Sequence, residues 1–425
     1  MTGVVPFEQV VGARTRELLA NTQFRRLYSG HATSKIGDEL YFVAAMWLVY
    51  VLTGSTLYTG FAAFLARFPG AIGFLTGPVV DRAPLRKLLV AAELAQALVV
   101  LVVPFAWVMG RLSVWVVLAV IGTVAFLERF SGPAQNAAIP RLVADENLVR
   151  ANSLASAGDS AIGASAQAAA GALIALVGAV FLFVANAVTF VVSALWFAVT
   201  VIPSTERSGT VPTVHEYATD VRESLTLLRR SVVGHMVVGA SLAGAFVGMT
   251  TAVLPAFADT FGGAGAYGLL VASMTVGTFC GTLCAPRLER VPFGRVTTAG
   301  FSVAALCWAG AVTVAWPPLA LFLFGLAFVP VGIYNVLVSA TLQSGVPETL
   351  LGRVTSTAGS VIAVVGPSGM LFGGYFGDLV GSELVIFASA VGFGVLATYW
   401  LLVPSLRRLP AVEAVEPGAF AVTDR

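Results

Sequence analysis

Long apolar runs, separated by short polar or Gly/Pro-rich breaks, fill the chain from residue 27 onward. Six lie near 27–52, 57–80, 86–108, 112–136, 151–177 and 180–202, and six more near 232–258, 265–286, 294–315, 318–341, 353–378 and 383–404. Each approaches or exceeds the roughly 20 apolar residues that a helix needs to cross a hydrocarbon core. The pattern predicts an all-α membrane protein with twelve transmembrane helices in two pseudo-symmetric six-helix bundles. Its parts are an N-terminal segment over 1–23, a first bundle over 24–202, a linker over 203–231, a second bundle over 232–405 and a tail over 406–425. Within the linker, Val214, Tyr217, Val221, Leu225 and Leu228 recur at helical spacing, which predicts an amphipathic helix along the membrane surface.

Composition agrees, with 57% hydrophobic and 11% charged residues, a balance that excludes an ordinary soluble enzyme. The net charge of +2 is small and its basic residues are scattered, so no nucleic-acid partner is expected. If the N-terminus lies inside, the inside segments hold all of the 24 Lys and Arg except Arg111 outside and Lys35, Arg67 and Arg129 within spans. That asymmetry places both termini and the linker in the cytoplasm of a multi-pass protein of the cytoplasmic (inner) membrane. Residues 1–23 carry Glu8, Arg14, Arg16 and Glu17 without an apolar core, so the first span is expected to be retained. Cys280, Cys284 and Cys307 lie in apolar stretches and read as small core residues.

The two halves repeat weakly. Ile139-Pro140 is answered by Val346-Pro347, with a four-residue shortening of the following loop; Arg150, Ser153, Gly171 and Gly178 are answered by Arg353, Ser356, Gly374 and Gly381 at a constant offset of 203. A parallel repeat of two six-span halves suits bundles that rock about a central site.

Three segments carry a family resemblance over residues 24–405. They are Gly77-Pro-Val-Val-Asp81-Arg82-Ala-Pro-Leu-Arg86-Lys87, then Arg129-Phe-Ser-Gly-Pro133 through Pro140 with Leu148 to Leu154, and Gln343-Ser-Gly-Val-Pro347 through Gly352-Arg353-Val-Thr-Ser356. With them the chain resembles the major facilitator superfamily, in its bacterial enterobactin-exporter and macrolide-efflux branch. The resemblance implies a conformational latch in which Gly77, Asp81, Arg82 and Arg86 meet the start of span eleven near Arg353. An acid at a helix's positive end contributes about 0.3 to 1 kcal/mol there. Leu85 stands where the family's loop usually has a basic residue. The family's antiporters often carry a Gly-Pro motif in span five; here that span has no proline, and span eleven instead reads Gly366-Pro367-Ser-Gly369 through Gly374.

A carboxylate in hydrocarbon costs several kcal/mol, so acids inside spans are functional candidates. Asp38, Glu39, Glu93, Glu128 and Asp159 are such acids, all in the first bundle. They are the candidates for proton coupling, with Lys35, Arg67 and Arg129 as charge partners. Asp38 and Asp159, lacking an obligatory cationic partner on their own helices, are the better carriers, whereas Lys35–Glu39 and Arg129 with Glu128 or Glu93 also read as fixed structural pairs. His31 is expected to be interfacial and structural. In the second bundle Phe246, Trp308, Tyr334, Asn335 and Gln343 are candidates to line a site for an amphipathic or aromatic substrate.

These features predict a secondary active transporter, an exporter that exchanges protons for amphipathic small molecules such as drugs or siderophores. An uptake permease or lipid facilitator of the same fold is the alternative. There is no Gly-xxxx-Gly-Lys-Ser/Thr loop, and His31, His215 and His235 are dispersed with no HExxH or GxSxG, so neither an ATP-driven pump nor an enzyme is expected. The expected partners are a small-molecule substrate, the lipid bilayer and a proton gradient, with no cofactor or metal and a monomeric state.

Overall fold

The computed structural model describes residues 18, 20–70, 80, 83–203, 231–260, 262–416 and 419–420. Among these residues there is no strand, and eleven helices are long and apolar enough to cross a membrane. Span one is Thr22–Thr53, span three Leu85–Val108, span four Val114–Leu142, span five Asp145–Val177 and span six Ala179–Ala198. Spans seven to twelve are Val232–Asp259, Gly263–Leu288, Phe293–Thr313, Pro317–Gly345, Leu350–Val380 and Ser382–Leu402. Span two is described over Thr56–Arg67. Its expected continuation over 71–79 and the amphipathic helix expected in 204–230 lie outside the described residues.

The repeat extends to backbone conformation. Gly178 ends span five at φ 84° and ψ 155°, and Gly381, 203 residues on, ends span eleven at φ 90° and ψ 156°. Only glycine enters this region without strain. Span four closes on the extended residue Val143 and span ten on the extended residue Val346, so the same offset holds through the preceding loop. This corrects the pairing of Ile139-Pro140 with Val346-Pro347. Pro140 is inside the last turn of span four, where it leaves the Asn136 carbonyl without its helical donor, whereas Pro347 follows span ten.

The described residues form two compact units, one within Met1–Ala45 and Ile72–Gly209, the other within Met46–Ala71 and Thr210–Arg425. In the first, span three packs on spans four and six around buried Leu27, Leu89, Ala134, Ala138 and Phe197. In the second, an aromatic core joins spans nine, ten and twelve, where Trp308, Phe301, Tyr334, Phe393 and Trp400 meet edge-to-face or tilted.

Span two, which the hydropathy pattern groups with the first bundle, packs on spans seven and eleven within the second unit. Two features account for this. Gly60 and Gly374 bring the helices backbone to backbone, since a Cβ on either would fall 2.9 Å from the other's Cα. Asp378 then caps span two: its Oδ1 accepts from the Thr56 amide at 2.6 Å and the Thr56 hydroxyl at 2.9 Å, and its Oδ2 accepts from the Ser55 hydroxyl at 2.5 Å. Ser55 is the N-cap residue, but its own side chain caps nothing. A carboxylate from another helix takes over that role.

Candidate functional site

The first unit gathers acids from three spans. On span one, Lys35, Asp38 and Glu39 follow Ser34 within about 8 Å of helix rise. Lys35 Nζ lies 2.6 Å from Glu39 Oε1, one helical turn away, and Gln167 of span five donates to Glu39 Oε2 at 2.6 Å. Glu39 is buried, and both of its oxygens are engaged. Gly163, one turn before Gln167, faces the same carboxylate, and a Cβ there would make ordinary contact with Glu39 Oε1 at 3.8 Å.

Asp38 is half-buried and has Glu128, Glu93, Glu39 and Lys35 as its charged neighbours. Glu93 of span three is 1% exposed beside the hydroxyls of Ser34 and Ser193, and its Oε2 has no hydrogen-bond partner among the described residues. Glu128 of span four is exposed and pairs with Arg129 at 3.2 Å. A charged side chain exposed within an apolar span faces a bundle interior or water, never acyl chains, without large cost.

Asp159 lies elsewhere, against the N-terminal third of span one. Its Oδ1 is 2.8 Å from His31 Nε2, so the imidazole expected to be interfacial and structural is the hydrogen-bond partner of an acid on span five. The two are 128 residues apart, so no spacing rule within a helix reveals them. Beside this pair, spans one, four and five enclose a cavity of about 230 Å³ reached by Gln135, Asn136, Asn152 and Ser156. None of these four residues was a site candidate from the sequence, although Gln135, Asn136 and Asn152 lie in the second of the segments that carry the family resemblance. The available signal was the i, i+4, i+7 spacing that puts Asn152, Ser156 and Asp159 on one face of the helix.

The other site candidates divide. Arg67 ends span two, exposed, in the second unit, whereas all five acids belong to the first. Trp308 is fully buried and Tyr334 is 4% exposed with its hydroxyl donating to the Met236 carbonyl, so both are core residues and line no open surface. Phe246 is half-buried against Phe393 and covers Gly392. Asn335 and Gln343 are exposed and share one face of span ten with Ser339, to whose Oγ Gln343 donates at 3.2 Å. Of the latch residues, Arg86 is exposed at the start of span three; Gly77, Asp81, Arg82 and the Arg353 side chain lie outside the described residues. Among the described residues no group of three or more His, Cys, Asp or Glu is placed to hold a metal ion.

Residues 28–370 match the family model described as Major Facilitator Superfamily. Over 129 residues, 30% of its length, the chain is 30% identical to macrolide efflux protein A of Streptococcus pyogenes, and the match spans about a third of that protein, 32%. A bacterial homolog of the human lysosomal transporter Spinster, in its inward-facing and occupied conformation, superposes with TM-score 0.71 at 15% identity over 96% of this chain and 98% of that one. A nucleoside transporter gives TM-score 0.67 at 14% identity over 89% and 99% of the two chains. A bacterial homologue of the iron transporter ferroportin gives 0.66 at 17% identity over 89% and 97%.

Proposed function

Since the chain belongs to the Major Facilitator Superfamily, we propose that it is a proton-coupled exporter of amphipathic small molecules. It works in the cytoplasmic membrane with both termini inside, alternating access between the bundles of residues 24–202 and 232–405, while Asp81 and Arg82 latch onto the start of span eleven. The observation that carries the reading is the charge balance in the first unit. Asp38, Glu39, Glu93 and Glu128 bring four carboxyl groups together, against the cations of Lys35 and Arg129. Burying unbalanced charge is expensive, and protons are the cations that make up the difference of two.

Within the cluster the roles separate. Glu39, held by Lys35 and Gln167, is a structural anchor. Arg129 engages Glu128. Asp38, half-buried among the other acids, is the proton carrier, with Glu93 as the group that receives or returns the proton. Export is the direction favoured by the likeness to a macrolide efflux protein. An amphipathic substrate suits a second half whose exposed polar stripe on span ten is Asn335, Ser339 and Gln343.

Proton flux from proteoliposomes under an imposed pH gradient tests this. Tetraphenylphosphonium, erythromycin and enterobactin are added in turn to wild type, Asp38→Asn and Glu93→Gln. At least one compound discharges the gradient in wild type, and Asp38→Asn abolishes the discharge. Movement of a compound without protons, or normal coupling in both variants, replaces this reading with that of a facilitator.

A further inference from the structure

The cavity beside His31 and Asp159 has a chemistry of its own. We propose that it is a subsite for the protonated amine end of an amphipathic amino alcohol; the exporter reading supplies only the direction in which that ligand then travels. The cavity lies wholly within the first unit, between the N-terminal thirds of spans one and five and the C-terminal third of span four. At about 230 Å³ it is smaller than the roughly 300 to 1,000 Å³ of a drug-sized site, so it takes one end of a molecule and leaves the rest outside.

Three observations define that end. Asp159 supplies a carboxylate, half-buried, whose partner in this structure is the His31 imidazole at 2.8 Å. Tyr28, stacked on the buried Phe24 with ring centroids 6.2 Å apart, lines the cavity with an aromatic ring of the kind that attracts an organic cation. Gly158 makes room for this ring, since a Cβ there would collide with the Tyr28 hydroxyl. Finally, Gln135, Asn136 and Asn152 bring three carboxamides to the cavity, each able to donate to and accept from a hydroxyl.

Other ligand classes fit less well. An anion would meet the Asp159 carboxylate. A wholly apolar group would cover the carboxamides without bonding them, which is costly. An ammonium group takes the place of the imidazole beside Asp159 and leaves no charge unpaired. His31 is then the placeholder that keeps Asp159 partnered when the subsite is empty. Access is built in: Asn136, Asn152 and Ser156 are exposed, while Phe24 and Leu27 close the floor at 1% and 3% exposure.

The test uses full-length protein in nanodiscs at neutral pH without a gradient, by equilibrium dialysis against empty nanodiscs. The probes are propranolol, an aromatic amino alcohol, and propranolol glycol, in which a hydroxyl replaces the amine. Wild type is expected to bind propranolol at least tenfold more tightly than the glycol. Asp159→Asn abolishes that preference, and Asn152→Leu weakens propranolol at least fivefold. Equal binding of the two probes, absence of saturable propranolol binding, or an unchanged preference in Asp159→Asn overturns the proposal. Should Asp159→Asn elute as aggregate, Asn152→Leu and Asn136→Leu decide, and wild-type affinity in both overturns it. Because no proton movement is read, saturable binding by a protein that moves no protons would sink the exporter reading and leave the subsite standing.

Discussion

Asp378→Ala removes two hydrogen bonds from the start of span two, those from the Thr56 amide and the Ser55 hydroxyl, while the Thr56 hydroxyl keeps the Gly374 carbonyl as its acceptor at 2.8 Å. Alanine continues span eleven without disturbing it. The lost cap is worth about 1 kcal/mol. The Ser55 hydroxyl bond, exposed, adds about 0.5 kcal/mol. The total of about 1.5 kcal/mol corresponds to about a 10-fold rise in opening of the first turn. Asp378→Asn keeps an acceptor for the amide and loses the charge, so about 1 kcal/mol, roughly fivefold, is expected. Hydrogen–deuterium exchange in nanodiscs, followed in a peptide covering Thr56 to Gly60, reads this opening directly. A peptide from span six serves as the internal standard. Exchange in Asp378→Ala within threefold of wild type would show that the glycine contact with span eleven alone holds span two, and the capping argument would be wrong.

Three further outcomes follow from the packing. Gly374→Ala places a Cβ 2.9 Å from the Gly60 Cα and should cost about 1 to 3 kcal/mol, seen as a lower melting temperature in detergent. Gly178→Ala and Gly381→Ala meet no atom within 4 Å, so only their positive φ matters, and each should cost about 1 kcal/mol in the same melt, with equal effects. Trp308→Ala empties the aromatic core and should cost about 3 to 5 kcal/mol in thermal unfolding, while propranolol affinity of the protein that remains folded stays at the wild-type level.

The spans were legible because crossing a membrane demands long apolar runs, and no tertiary contact overrides that demand. The acids of the first bundle were legible for the opposite reason, as exceptions to the runs. Pairings between helices were not. His31 meets Asp159 across two spans, and Asp378 looked like an ordinary acid at a span end until its helix was seen against Thr56. Trp308 and Asn335 were both candidates to line a substrate site, yet one is core and the other exposed, since hydropathy alone does not separate a buried position from a lining one. Pro140 misled the alignment of the repeat because proline more often follows a helix than closes its last turn.

The repeat makes a last prediction possible, about which face of span eleven meets water. At the offset of 203, Asn152, Ser156, Asp159 and Gly163 of span five correspond to Thr355, Gly359, Ile362 and Gly366 of span eleven, which share one face, the first three exposed and Gly366 half-buried. The scaffold is duplicated there and the charge is not. If that face lines an aqueous path, as polar Thr355 and its neighbour Ser356 suggest, Ile362→Asp should stay within about 0.5 kcal/mol of wild type. Val395→Asp is the contrast. Val395 is 61% exposed in an apolar groove between spans nine and twelve, beside Leu306 and Val391, and a carboxylate facing acyl chains at mid-span costs about 2.5 to 3.5 kcal/mol. Thermal unfolding of both variants in nanodiscs separates the two environments by several degrees. If Ile362→Asp falls as far as Val395→Asp, that face of span eleven lies against lipid, and the correspondence between the halves ends at the backbone.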